Sequence, residues 1–143
     1  MINNFEGKYR FLSNFYEHPL TVDGLTYRNA EAAFHAAKSV TNRREEFTTL
    51  SARDAKRLGR KVDLRPDWEI AKDDWMYHVL QCKFSDAELK IKLIMTGDED
   101  LKEGNTWHDN YWGSCTCEKC KDKGRNKLGL LLMKLRSELK EDG

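Results

Sequence analysis

The chain has 143 residues, of which 34% are charged and 39% hydrophobic, with 25 Lys and Arg against 24 Asp and Glu. A net charge of +1 with only 2 prolines excludes a strongly basic nucleic-acid coat, though not a local basic groove, and excludes a disordered chain. No apolar run approaches the ~18 residues of a membrane span, and the start Met1-Ile2-Asn3-Asn4-Phe5-Glu6 lacks the basic and apolar stretches of a secretory signal, so a cytoplasmic protein with reduced cysteines is expected.

The length fits one domain over residues 1–143, by the prior of roughly 100–200 residues per domain, and no repeat or linker divides it. The first ~28 residues read as extended segments and turns, with Tyr9-Arg10-Phe11-Leu12 short and rich in aromatics. Leu20-Thr21-Val22 runs into Asp23-Gly24, a hairpin turn signal, and Leu25-Thr26-Tyr27 is the returning strand. Asn29 is the N-cap of a helix through about Ser39. Ser51 with Asp54 starts a short helix that Gly59 ends. Pro66-Asp67 opens a longer helix to Phe84, striped by Trp68, Lys72, Trp75, Met76, Val79, Cys82 and Lys83. Ser85 with Glu88 caps a helix ending near Gly97. From Gly104 to Lys127 the chain is irregular, and a stretch that long is functional or held by something. Leu128, Leu131, Leu132, Leu135 and Leu139 share one face of a final helix, with Asn126 as its candidate cap. The fold class is α+β, predominantly helical, with a small antiparallel β element near the N-terminus.

Chemistry concentrates in three places. Glu31 and Lys38 lie two turns apart on the first helix, with Phe34 and His35 between them on one stripe and Ala32, Ala33, Ala36 and Ala37 elsewhere. Small residues allow close packing, and a Glu, a His and a Lys on a closely packed helix are costly unless paired or working. A solvated polar stripe with ordinary i,i+4 pairing is the other reading. Among the tryptophans, Trp75 follows a helical stripe and reads as core. Trp112 follows Asp109 closely and precedes Gly113, which suits stacking on a base as well as plain packing.

The third place is Cys115-x-Cys117-x-x-Cys120, with His108 upstream. Three thiolates completed by His108 or Cys82 would hold a structural zinc; free thiols, or a redox pair at Cys117 and Cys120, are the alternatives. No His-x-Glu or His-Glu-x-x-His accompanies them, which disfavours catalytic zinc. Gly124-Arg125-Asn126 before the last helix is the nearest thing to an anion cradle, or else a plain turn and cap.

The assembled blocks carry a resemblance. Phe11-Leu12-Ser13-Asn14-Phe15 and Asp23-Gly24 with Tyr27 come first. Glu31-x-x-Phe34-x-Ala36-x-Lys38 and Ala55-Lys56-x-x-Gly59-Arg60 follow. Asp67-Trp68-Glu69-x-x-Lys72, Met76, Lys83-Phe84, Thr96-Gly97 and Leu101-x-Glu103 lead to Asp109-x-x-Trp112-Gly113. Gly124-x-Asn126-x-Leu128-Gly129, Leu132-Met133 and Arg136 close the series. In this order, over ~130 residues of helical and loop pattern, they resemble the NADAR family, also called YbiA-like proteins.

That resemblance implies an N-glycosidase acting on ribosylated bases, with no cofactor required for catalysis. The implied substrate is ADP-ribosylated guanine in single-stranded DNA or RNA, or a small ribosylated base such as a pyrimidine intermediate of riboflavin biosynthesis. No membrane and no obligate protein partner is implied. The resemblance puts Glu31, Trp68 and Asp109 at positions associated with activity and Lys38 at a position associated with Schiff-base chemistry on the ribose. Trp68 and Trp112 are then candidates to stack on the base or close the pocket, Phe11 is a further substrate-binding candidate, Arg10 and Arg125 are candidates for phosphates, and Ser13, Asn14 and Asn126 for neutral hydrogen bonds. Ala30, where many members have Ser or Thr, and His35, where many have Gln, depart from the pattern. A non-catalytic ADP-ribose- or NAD-binding module is the alternative, and retention of both Glu31 and Lys38 argues against it.

Overall fold

Asp23 and Gly24 take positive φ of +50° and +88°, the backbone of a tight turn whose twist suits a two-residue hairpin. They join β1 (Glu17–Val22) to β2 (Leu25–Asn29). The strands pair antiparallel with Leu20 opposite Tyr27, Thr21 opposite Thr26 and Val22 opposite Leu25. Leu20, Val22 and Tyr27 are buried, and Thr21 and Thr26 share a hydroxyl hydrogen bond of 2.8 Å on the exposed face. The computed structural model describes residues 1–39 and 43–142 and falls into two compact units, one of Asn14–Asp86 and one of Met1–Ser13 with Ala87–Gly143.

In the unit Asn14–Asp86, β2 runs straight into α1 (Ala30–Ala37). Asn29 is fully buried; its Oδ1 accepts the Ala32 amide at 2.8 Å and its Nδ2 donates to Glu17 Oε2 at 2.8 Å. The expected cap therefore forms and also ties the helix to β1. Ala30, Ala32, Ala33, Ala36 and Ala37 are each at most 2% exposed. With no bulk to hold neighbours off, α1 packs against α2 (Ala52–Gly59), α3 (Trp68–Lys83) and a 3-10 turn at Arg44–Phe47. Ser51 Oγ accepts the Asp54 amide at 3.1 Å, the local bond that starts α2. Leu20, Val22, Tyr27, Ala30, Ala32, Ala33, Ala36, Phe47, Ala55, Val62 and Val79 form the core. Ser85 departs from expectation: its hydroxyl donates to the Cys82 carbonyl at 2.7 Å. It joins the Ser85 amide on a carbonyl of the last turn of α3 instead of capping the next helix.

In the other unit, Gly7–Leu12 wind into a 3-10 turn rather than an extended segment. The physical reason is burial. Phe11 and Leu12 are adjacent and both buried, which an extended strand, sending neighbours to opposite faces, does not favour. Here α4 (Ala87–Ile94) packs on α5 (Lys127–Asp142). Leu128, Leu132 and Leu135 are buried as expected; Gly129 and Arg136 complete that face, while Leu131 and Leu139 are half-buried. Buried Arg136 donates to Thr96 Oγ1 at 2.9 Å, where α4 ends before Gly97 in the left-handed region.

The irregular stretch is held by backbone pairing. Ile2 bridges Leu101 in parallel, and β3 (Gly104–Asn105) pairs in parallel with β4 (Ser114–Cys115). Asn126, at φ +52°, does not cap α5. Its Oδ1 accepts the Glu103 amide at 3.0 Å and its Nδ2 donates to the Leu101 carbonyl at 2.9 Å. The two-sided amide reads a peptide edge, a role no local pattern announces. The architecture is thus mostly helical with a small antiparallel element near the N-terminus, and no helix among the described residues is long and apolar enough to cross a membrane.

Candidate active site

The stripe on α1 is not a solvated face. The side chains of His35 and Glu31 are only 7% and 14% exposed, and His35 Nε2 lies 2.7 Å from Glu31 Oε1. The pair is an i,i+4 contact inside the packed unit, as one helical turn allows. With its proton on Nε2, the imidazole donates to the carboxylate. His35 Nδ1 is buried with no hydrogen-bond partner among the described residues. It faces Gly59: a Cβ there would sit 2.8 Å from His35 Cγ and closer still to Nδ1. The glycine is what lets α2 approach the ring. Glu31 is pinned at the first turn of α1 by its amide, which donates to the Asn14 carbonyl at 3.0 Å.

Lys38 follows the last residue of α1, with Nζ 5.9 Å from the Phe34 ring centroid. Burial pushes its ammonium below the usual lysine range; the Glu31 carboxylate opposes that, and Arg60, Lys56 and Lys72 reinforce it. Lys72 is itself paired with Glu69 at 2.8 Å. The cations on α2 and α3 belong to blocks visible in the sequence, but their gathering around one amine was not foreseen. Nothing in a single helix's periodicity reveals it; the packing of α2 and α3 on α1 creates it. Chemically, this is a carboxylate hydrogen-bonded to an imidazole beside a lysine with an enlarged neutral fraction, in a locally positive field.

Trp68, the first residue of α3, is 6% exposed and lies 5.2 Å from the Phe34 ring at a tilt of 49°. Trp75 is half-buried rather than fully enclosed, with the Arg44 and Arg65 guanidinium groups 5.1 and 5.4 Å from its ring. Asn14 is buried, its Nδ2 donating to Met76 Sδ at 3.4 Å. Its Oδ1 is buried with no donor among the described residues, an open acceptor of the kind that calls for a partner.

In the other unit, Asp109 organises a turn. Its Oδ1 accepts the amides of Tyr111 at 3.1 Å and Trp112 at 3.0 Å, which is an Asx turn. Asn105, which the sequence did not single out, holds this turn from beneath. It is buried, its Nδ2 donates to the Asp109 carbonyl at 2.9 Å, and its Oδ1 accepts the Asp109 and Trp107 amides at 3.2 Å. The half-buried Trp112 meets Tyr111 edge-on at 4.8 Å, and Arg125 stacks 5.0 Å from the Tyr111 ring centroid.

The amides read as an anion cradle are committed elsewhere. Gly124 donates to Ser114 Oγ, Arg125 to the Asn110 carbonyl, Asn126 to that of Gly113, Lys127 to that of Tyr111 and Leu128 to that of Trp112, all within 2.8–3.0 Å. Among the described residues, that turn offers an anion no backbone nest, though the Arg125 side chain is exposed. Arg10 is exposed, Ser13 half-buried, and Phe11 buried with Lys92 Nζ 5.9 Å from its ring. His108, Cys115, Cys117 and Cys120 converge, their ligand atoms all within 4.8 Å of one another. Cys82 is not among them. The Cys120 amide, donating to Cys117 Sγ at 3.4 Å, and then Cys115 lower the Cys117 thiol to about 6.

Comparison with known proteins extends the picture over nearly the whole chain. The NADAR domain matches residues 2–140. The N-glycosidase YbiA of Escherichia coli strain K12 is 39% identical over 136 residues, covering 92% of this chain and 82% of its own. A riboflavin biosynthesis protein of Vibrio vulnificus is 35% identical over 137 residues, 92% of this chain but 36% of that longer protein. The NMR structure of Escherichia coli YbiA superposes with a TM-score of 0.85 at 35% identity, covering 99% of this chain and 88% of the other.

Proposed function

The chain belongs to the NADAR domain family, and on that footing we propose that it is an N-glycosidase that removes ADP-ribose from guanine in single-stranded DNA or RNA, through a Schiff base between Lys38 and ribose C1′. One observation carries this reading: a lysine whose ammonium is destabilised by burial stands beyond the end of the buried helix that also carries the Glu31–His35 pair.

The chemistry follows from the bond. A C1′–N link to an exocyclic amine is aminal-like, so the ribose ring opens to an imine at C1′, with a proton delivered to the ring oxygen. The neutral Lys38 amine adds to C1′, the base nitrogen takes up a proton, and the C1′–N bond breaks to release intact guanine. The Lys38–C1′ imine that remains is hydrolysed by water to the aldehyde, which recloses as ribose and frees the lysine. Glu31 carries the protons, and His35 holds its carboxylate in place. Lys56, Arg60 and Lys72 supply a field that favours a diphosphate, and the open Asn14 Oδ1 suits a ribose hydroxyl. Asp109 is a candidate for the ribose hydroxyls and Trp112 for the base.

Mass spectrometry of a single-stranded oligonucleotide carrying ADP-ribosylated guanine tests the reading: loss of the ADP-ribose mass with guanine recovered supports it. Lys38→Ala should abolish turnover and leave ADP-ribose binding within about tenfold, or ~1.4 kcal/mol. Cyanoborohydride during turnover should trap a covalent adduct at Lys38. Turnover that survives Lys38→Ala overturns the Schiff base and favours a carboxylate route through Glu31 or Asp109. The name of the Vibrio vulnificus relative favours a second reading, cleavage of a ribosylated pyrimidine intermediate of riboflavin biosynthesis. An untouched oligonucleotide with consumption of that small substrate selects it. If neither is consumed and ADP-ribose still binds, the chain is a binding module.

A further inference from the structure

We propose that His108, Cys115, Cys117 and Cys120 form a closed, four-coordinate zinc site that clamps the segment carrying Asp109 and Trp112. His108 Nδ1 lies 3.4 Å from Cys120 Sγ and 3.6 Å from both Cys115 Sγ and Cys117 Sγ. A tetrahedral zinc with Zn–S of about 2.3 Å and Zn–N of about 2.0–2.1 Å has N–S edges of about 3.6 Å. Two of the separations equal that value and the third, at 3.4 Å, is slightly shorter.

Hydrogen bonding does not account for the arrangement. An imidazole nitrogen has one proton or one lone pair, so it satisfies one of three sulfurs. A metal accounts for all three. Nor does a disulfide join any of the sulfurs, since all four cysteines are free. Three soft thiolates and an imidazole are a zinc set rather than one for magnesium or calcium. With four protein ligands no position is left for water or substrate, which makes the site structural.

The surroundings are built for the ligands. The Cys120 amide points at Cys117 Sγ, the Lys121 amide donates to the Cys117 carbonyl and the Asp122 amide to the Cys115 carbonyl. Asn110 Oδ1 accepts the Cys115 amide at 2.9 Å. His108, Lys121 and Asp122 all have positive φ, from +55° to +67°, a conformation that non-glycine residues keep only where the surroundings over-determine it. Cys115 is fully buried and closes the inner side of the cluster. Because His108 and Cys115 bracket Asp109, Tyr111 and Trp112, a metal bound to both fixes the two ends of the Asx turn.

The test uses the full chain and needs no glycosidase substrate. Elemental analysis of protein purified under reducing conditions should give one zinc per chain. After chelation, cobalt(II) should bind one per chain with thiolate charge-transfer bands and the intense visible bands of a tetrahedral site. Cys117→Ser and His108→Ala should each lower zinc content at least tenfold, whereas Cys82→Ser should keep it. Chelator should lower the melting temperature of the parent chain and leave that of Cys117→Ser unmoved. The cobalt spectrum of the parent chain decides the matter if a variant fails to fold. The proposal is overturned if the reduced chain takes up neither zinc nor cobalt while its thiols titrate freely. Cobalt without thiolate bands, or full metal content in Cys117→Ser, overturns it equally.

Discussion

Replacing Gly59 by alanine tests the packing that presents the Glu31–His35 pair. Gly59 ends α2 outside the left-handed region, so an alanine meets no backbone penalty there. The new Cβ would instead lie 2.8 Å from His35 Cγ and 3.0 Å from His35 Cβ. That ring is 7% exposed and hydrogen-bonded to Glu31, so it can move aside only by giving up that bond or disturbing its packing. Overpacking of this kind costs about 1–3 kcal/mol. The helix propensity gained on going from Gly to Ala returns up to about 1 kcal/mol, less at a last helical residue. The net expectation is a loss of about 1–2 kcal/mol, which at m of about 1–3 kcal/mol/M lowers the urea midpoint by roughly 0.5–1 M. A double-mutant cycle makes the claim sharp. In a His35→Ala background the obstacle is gone, and Gly59→Ala should become neutral or stabilising by up to about 1 kcal/mol. The reasoning fails if Gly59→Ala raises the midpoint of the parent chain, or if its effect is the same in both backgrounds.

Two further outcomes concern a buried charge in the same unit and a side-chain clasp in the other. Lys83 is fully buried, and burial lowers its ammonium from 10.5 to about 7. A folded pKa below the unfolded one means its contribution to stability is complete above about 10.5 and is lost as pH falls towards about 7. The stability gained on Lys83→Met should therefore grow as pH is lowered from 10 to 7 and level off below that. A gain that stays constant across the range contradicts the burial argument. Asn126→Ala leaves the Glu103 amide and the Leu101 carbonyl without their side-chain partner, at about 1–3 kcal/mol for each group left unsatisfied. Asn126→Ser, adequate for a helix cap, should not restore the loss in urea unfolding; full restoration would show that Asn126 acts as a cap after all.

The elements read most securely from sequence are those whose physics is local. The Asp23-Gly24 turn and the Asn29 and Ser51 caps depend on contacts between residues three positions apart. Those interactions are present in the sequence itself. Ser85 shows where locality misleads, since its hydroxyl reached back to the Cys82 carbonyl on α3 instead of forward. Phe11 and Leu12 show another failure, because burial on both neighbours overrode an extended pattern. The family blocks marked Glu31, Lys38, Trp68 and Asp109 as positions of interest without saying what surrounds them.

By itself, then, the sequence determined a mostly helical α+β chain, an alanine-lined helix carrying Glu31, His35 and Lys38, and a cysteine cluster with metal-ligand spacing. Tertiary structure alone decided that this helix is buried, that Lys56, Arg60 and Lys72 act on Lys38, and that Asn126 clasps Leu101 and Glu103. It also decided that His108 rather than Cys82 meets the three cysteines. The division has a physical cause. Caps, turns and amphipathic periods are set by near neighbours along the chain, whereas desolvation and charge act through space, between residues that only the packed fold brings together.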